Sequence, residues 1–273
     1  MEVTLKHKHN PKYRGRIAPT PSGYLHEGHA RTFRVAWQRA RDSGGALIFR
    51  NDDLDADRCR PEFASAAIED LRNLGLNWDE GPDVGGTYGP YNQSERHEHY
   101  LEAWQKLRDA DMIYPCRCSR SEIKAFNQKS IDGEEFLFPP QLRPNETELR
   151  LPEEPGKVNW RFRTTASEEI SFMDRNLGVQ KFKVGEDFSD FLIWRKNGYP
   201  SYELATVIDE VNMSITEIVR GLDLLKSSAR QNLIFSALEE TSPAFYHCEI
   251  MTDENGRKLS KSDRTLPRIS LPF

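Results

Sequence analysis

The chain has 273 residues, a formal net charge of −5, 37% hydrophobic and 30% charged residues, and 4 cysteines. No stretch approaches the ~18 apolar residues of a membrane-spanning helix, and Met1 to Tyr13 lacks the apolar core of a signal peptide, so neither a membrane protein nor a secreted one is expected. Cys59, Cys116, Cys118 and Cys248 are too few and too scattered for a disulfide framework, which makes a reducing cytoplasm the expected location. The acidic balance argues against a surface that grips nucleic acid all over, while leaving room for a local basic face.

Residues 1–13, with Lys6, Lys8 and Lys12 interleaved with His7 and His9, are expected to form a polar arm outside the fold. Arg16 to Pro19 is a short extended run stopped by Pro19, Pro21 and Gly23. A helix follows, with Phe33, Ala36, Trp37 and Ala40 on one face and Ser43-Gly44-Gly45 at its end. Ala46-Leu47-Ile48-Phe49 has the composition of a buried strand. Strand, turn, helix, strand is the pattern of a parallel βαβ unit, whose ligands sit beyond the carboxyl ends of the strands. Two more helices are predicted, over Pro61–Leu74 and Ser94–Ala110.

From Ile113 to about Gly185, Phe138-Pro139-Pro140, Pro144, Pro152 and Pro155-Gly156 break up any long element, which points to an inserted, loop-rich subdomain. Short strand-like runs are predicted at Phe188–Trp194, Glu203–Ile208 and Ile215–Val219, and a helix at about Ser228–Glu239. The expected division is an arm at 1–13, the first half of a catalytic domain at 14–112, an insert at 113–186 and the second half at 187–273, with no internal repeat.

Two segments carry chemistry. Arg16-Ile17-Ala18-Pro19-Thr20-Pro21-Ser22-Gly23-Tyr24-Leu25-His26-Glu27-Gly28-His29 spans the end of the first strand and the start of the first helix. His26 and His29 lie one turn apart, Gly28 lets a ligand approach the backbone, and the helix start presents amide N–H groups, so the segment suits a phosphate chain. A surface histidine pair or half of a metal site has the same spacing. The second segment, Lys258-Leu259-Ser260-Lys261-Ser262, follows the turn-rich Asp253-Glu254-Asn255-Gly256 and offers cations and hydroxyls to a triphosphate; a solvated tail has the same composition.

Together, an HxGH segment on the first helix of a βαβ unit and a later KxSKS loop resemble the paired signature of class I aminoacyl-tRNA synthetases. Arg16 to Thr32 is similar to the RxAPSPTGxLHxGHART opening of glutamyl-tRNA synthetases, with Thr20 and Ser22 exchanging the two hydroxyl residues. Arg50-Asn51-Asp52-Asp53-Leu54-Asp55 resembles the family's RIEDLD, Ser201-Tyr202-Glu203-Leu204-Ala205 its tyrosine-bearing strand, and Ile218-Val219-Arg220-Gly221-Leu222-Asp223-Leu224-Leu225 its IVRGxDLL segment. The likeness runs from about Arg14 to Ser262. Within the family it is greatest to the short glutamyl-Q tRNA(Asp) synthetases, which lack an anticodon-binding domain and attach glutamate to the queuosine base of tRNA(Asp). The 11 residues after the lysine loop, 263–273, agree with that expectation and equally with a truncated glutamyl-tRNA synthetase.

The resemblance implies a Rossmann-type parallel sheet split by an acceptor-binding-like insert, acting as a cytoplasmic monomer. It implies catalytic His26, His29 and Lys261, and ATP with Mg²⁺ held by Gly28, His26, His29, Lys258, Ser260 and Lys261. For glutamate it implies Arg16, Ala18, Thr20, Asp52, Tyr202 and Arg220, the arginines for the two carboxylates and Asp52 for the ammonium. Asp52 departs from the family's Glu and matches the acidic pair of glutaminyl-tRNA synthetases; Arg220 favours glutamate, because a buried guanidinium facing a neutral amide lacks its charge partner. Short paralogues commonly bind zinc in the insert through a CxC pair, a tyrosine and a further cysteine. Cys116 and Cys118 match the first half, but Ser119 to Gly198 contains no Cys, His or Tyr, so bound zinc is expected to be absent. A non-catalytic tRNA-binding paralogue is the alternative from another class.

Overall fold

Strand β1 (Arg14–Ile17) begins two residues before the expected run and lies parallel to β2 (Ala46–Phe49), with Arg16 opposite Ile48. The computed structural model describes residues 12–145 and 155–249. Helix α1 (Glu27–Asp42) joins the two strands and packs Ala36 and Ala40 against Ile17, Leu47 and Phe49. Gly44 takes the left-handed φ of +56° after the helix, and a Cβ on Gly45 would run into the Tyr13 carbonyl, so both glycines are needed where the chain turns back. Tyr13, expected in the arm, belongs to the fold: its carbonyl accepts from the Ala46 amide and its hydroxyl donates to Glu217 Oε2 at 2.8 Å.

The second half repeats the arrangement in the opposite sense. Strand β8 (Glu217–Gly221) runs through helix α6 (Leu225–Ala237) into β9 (Ala244–Cys248), and the two strands are parallel, with Arg220 opposite His247. β1 and β8 lie side by side, tied by the Thr216 amide to the Arg14 carbonyl at 2.9 Å and by the Arg14 amide to Thr216 Oγ1 at 2.8 Å. The chain thus leaves β1 toward β2 and leaves β8 in the other direction, toward β9. Between β1 and β8 lies a topological switch point, where open parallel sheets bind ligands at the carboxyl ends of their strands.

Residues 113–194 add a second sheet and extend the first. β3 (Ile113–Cys116), β4 (Asn159–Phe162) and β7 (Leu192–Trp194) form an antiparallel sheet, and β5 (Glu169–Asp174) and β6 (Gly178–Lys183) form a hairpin whose β5 joins β9. The region expected to be loop-rich therefore contains regular structure, and two strand pairings cross the boundary expected at 186/187. Its core is aromatic: Trp104 of α3 (His97–Asp109) meets Trp160 edge-on at 4.8 Å between ring centroids, beside buried Phe162, Phe188 and Trp194. Helix α2 (Pro61–Asn73) covers β2, and the short α4 (Arg120–Ala125) is capped by Ser119, which accepts from the Glu122 amide.

One element is corrected. Glu203–Ile208, expected as a strand, lies in helix α5 (Tyr202–Asn212), capped by Ser201 Oγ accepting from the Leu204 amide. Every residue from Glu203 to Glu210 is buried, the polar Glu203, Thr206, Asp209 and Glu210 included, so the helix has no solvent-facing polar side to mark it. Among the described residues no helix is long and apolar enough to cross a membrane.

Candidate active site

The HxGH segment occupies the start of α1, directly above the carboxyl end of β1. His26 is the N-cap, with extended φ −117° and ψ 170°, and its carbonyl accepts from the His29 amide at 2.9 Å. His29 Nδ1 reaches back to accept from the His26 amide at 3.3 Å, the role a Glu or Gln plays in a capping box. The two rings lie 3.7 Å apart, so both imidazoles are held where helix amides and the macrodipole favour an anion. Gly28 lies in the first turn, where the Thr32 hydroxyl donates to its carbonyl at 3.1 Å.

At the carboxyl ends of β1 and β2 the chain forms a charged interior. The Arg50 amide donates to the Ile17 carbonyl at 2.9 Å and the Asp52 amide to the Pro19 carbonyl at 3.0 Å, which fixes Ala18 and Thr20 beside the acidic pair. Arg50, fully buried, grips Asp52 through Nε at 2.6 Å and Nη2 at 3.3 Å. Asp53 turns away and accepts from Ser94. Burial pushes the Asp52 carboxyl up to about 6 against the pull of Arg50.

Arg16 is placed here as expected, but its charge is already matched. Its Nε donates to Glu210 Oε1 at 2.9 Å and its Nη1 to the Val219 carbonyl at 2.8 Å. Glu210 also accepts from Arg50 Nη1 at 3.3 Å; burial alone would raise its carboxyl, and the two arginines hold it below its ordinary value. Behind them, Asp209 accepts from Gln93, from Arg96 Nε at 2.6 Å and from the Tyr100 hydroxyl. Arg50, Asp209 and Glu210 escaped the sequence reading; the signal for the acidic pair was Asp209-Glu210, two turns after Tyr202 and just past the run Glu203–Ile208 expected as a strand.

Arg220 differs from these arginines. It is 4% exposed, and its partners are neutral: the Tyr202 hydroxyl at 3.3 Å, Ser228 Oγ at 2.6 Å, Gln231 Oε1 at 2.8 Å and His247 Nε2 at 3.3 Å. Among the described residues it makes no ion pair. Tyr202, at the first position of α5, is 40% exposed and marks the open side of this cluster. Ser228, Gln231 and His247 were also missed, since a lone histidine in a strand carries no signal of its own.

Cys116 is buried with Tyr114, Ile123 and Phe138, and Cys118 packs beside them, its thiol pushed up to about 11 by burial and by Cys116. Among the described residues no group of three His, Cys, Asp or Glu is placed to hold a metal ion. Two thiols in apolar surroundings are half of a tetrahedral zinc site and do not fit the ion by themselves. Lys258, Ser260 and Lys261 lie outside the described residues.

Comparison with known proteins identifies the family. Residues 12–269 match the family model described as tRNA synthetases class I (E and Q), catalytic domain. The chain is 44% identical over 253 residues to the glutamyl-Q tRNA(Asp) synthetase of Symbiobacterium thermophilum, covering 90% of this chain and 77% of that one. It is 38% identical to the glutamate–tRNA ligase of the same organism, covering 91% of this chain and 52% of that one. The solved glutamate-tRNA synthetase of Elizabethkingia anophelis superposes with a TM-score of 0.78 at 29% identity, over 93% of this chain and 53% of that one. The chain therefore belongs to the class I tRNA synthetases for glutamate and glutamine, and stands within them beside the proteins named glutamyl-Q tRNA(Asp) synthetase.

Proposed function

We propose that this ligase activates L-glutamate with ATP and Mg²⁺ to glutamyl-adenylate and transfers the glutamyl group to the queuosine base of tRNA(Asp). Arg220 carries the amino-acid part of the reading. A buried guanidinium held by neutral groups alone calls for an anion at its open side; with Arg220 facing the substrate side chain, the γ-carboxylate of glutamate supplies that anion and the neutral amide of glutamine does not. Asp52 takes the ammonium, and Arg16, Ala18, Thr20 and Tyr202 complete the pocket between β1 and β8. The α-carboxylate attacks the α-phosphorus, the bond to the β-phosphate breaks, and pyrophosphate leaves. Charge neutralisation and alignment are the demands of that step; His26, His29 and the amide of Gly28 meet them from α1, and Lys258, Ser260 and Lys261 from the later loop. A queuosine hydroxyl then attacks the glutamyl carbonyl and releases AMP.

The choice of RNA rests on likeness: the chain is more similar to the relative named for queuosine-bearing tRNA(Asp) than to the glutamate–tRNA ligase of one and the same organism. The reading takes the acting species to be a cytoplasmic monomer without zinc, and one equivalent of zinc in the purified protein would overturn that last part. The test is glutamate-dependent ATP–pyrophosphate exchange without RNA, followed by charging of tRNA(Asp) with and without queuosine. Exchange with glutamate and charging that requires queuosine are expected. Charging of tRNA(Glu) instead would assign the chain to the glutamate–tRNA ligases, and no exchange with glutamate would remove the enzymatic reading.

A further inference from the structure

Arg220 is aimed by a histidine, and the aim depends on which ring nitrogen carries the proton. His247 is fully buried between Asp174 at the end of β5 and Arg220 on β8. Its Nδ1 lies 2.6 Å from Asp174 Oδ2, and its Nε2 lies 3.3 Å from Arg220 Nε and 2.9 Å from Ser228 Oγ. A guanidinium only donates and a carboxylate at neutral pH only accepts. The proton therefore sits on Nδ1, donated to Asp174, and Nε2 presents its lone pair to Arg220.

We propose that His247 is a positioning residue of the glutamate site: Asp174 holds it as the neutral Nδ1–H tautomer, and its Nε2 orients Arg220 without cancelling the arginine's charge. A carboxylate in direct contact with Arg220 would fix it equally well but would occupy the charge the substrate needs. Asp174 instead stands one imidazole away, its own Oδ1 accepting from the Asn176 and Leu177 amides at 2.9 Å each. The remaining groups around the ring leave it neutral: Ser228 from α6, the Leu224 carbonyl beyond it, and the Phe245 ring stacked 6.1 Å away on its own strand. Burial and the neighbouring Arg220 together lower the imidazole to about 4, against the pull of Asp174, so the ring stays an acceptor throughout the neutral range.

The function of the device rests on the reading of Arg220 as a carboxylate receptor, whereas the tautomer does not, so two measurements separate them. The chain has 7 histidines. With ¹⁵N-labelled histidine, the NMR signal lost in His247→Gln identifies this ring, which is expected to show protonated Nδ1 and bare Nε2 with no titration between about pH 5.5 and 8. A ring protonated at Nε2, or one that titrates in that range, would overturn the proposal whatever the enzyme does. In glutamate-dependent pyrophosphate exchange, Asp174→Asn lets an amide N–H donate to Nδ1 and favours the Nε2–H tautomer, which points N–H against N–H. KM for glutamate is expected to rise about tenfold, with kcat and KM for ATP unchanged. His247→Gln keeps an acceptor and is expected to recover most of the affinity that His247→Ala loses. Equal losses in the folded Gln and Ala variants, or an equal shift in KM for ATP, would reduce His247 to a packing residue. A wild type without glutamate-dependent exchange would defeat the function proposed above and leave the NMR result to decide the tautomer.

Discussion

The two ends of the candidate site are built on different physics. At the start of α1, half-exposed His26 and His29 are arranged by local backbone geometry, a helix N-terminus and a ring that caps it. Between β1, β2, α5 and β8 the charges are buried, with Arg50 and Glu210 fully so; Asp52 is held by Arg50 two residues before it, whereas Glu210 is held by Arg16 and Arg50 from far away in sequence. A helix start recruits a phosphate with what any helix start has. An amino-acid receptor must hold fixed charges away from water, and each must be matched or left for the ligand to match. Arg16, Arg50 and Arg96 are matched by Asp52, Glu210 and Asp209, whereas Arg220 is held by neutral groups, the basis for proposing it as the receptor of a substrate carboxylate.

That contrast is open to breakage from the buried side first. Asp209→Ala strands Arg96 beside Arg50 and is expected to cost about 3–5 kcal/mol of stability, seen as a lower urea midpoint; a loss below about 1 kcal/mol would mean that water reaches the cluster. Arg220→Gln removes the unmatched cation and is expected to lower kcat/KM for glutamate by roughly 10²–10³-fold with little effect on KM for ATP. His29→Ala, at the open end, is expected to slow adenylate formation by roughly 10²-fold. Unchanged pyrophosphate exchange in that variant would remove it from the phosphate site.

Acid sharpens the comparison. Asp52 must be ionised to hold an ammonium, so kcat/KM for glutamate is expected to fall about tenfold per unit as pH drops below about 6, whereas a site indifferent to Asp52 would give a flat profile. Stability runs the other way: a carboxyl raised by burial favours folding when protonated, and that contribution is lost as pH rises from about 4 to about 6. The smallest effect belongs to Tyr202→Phe, which deletes a half-exposed hydroxyl 3.3 Å from Arg220; it is expected to raise KM for glutamate less than tenfold.

The legible parts of the site were those carried by contiguous sequence. Arg16 to His29 spans a strand end, a turn and a helix start, so its roles follow from neighbours along the chain. The pairing of the arginines was not legible: Glu210 lies 194 residues from Arg16, and His247 lies 27 from Arg220 on the next strand of the sheet. Helix α5 was hidden for a related reason, since its polar residues Glu203, Thr206, Asp209 and Glu210 are buried among distant parts of the chain and do not face solvent.

The sequence by itself determined the βαβ opening, the HxGH helix start, the acidic residue after β2 and the arginine near the end of β8, because periodicity, turn residues and short motifs act over a few residues. Only the tertiary structure decided which arginines are paired with carboxylates and which is held by neutral groups. Charge matching in a low-dielectric interior depends on atoms a few ångströms apart in space, and the sheet brings those atoms together from β1, β2, α5 and β8 without regard to their distance along the chain.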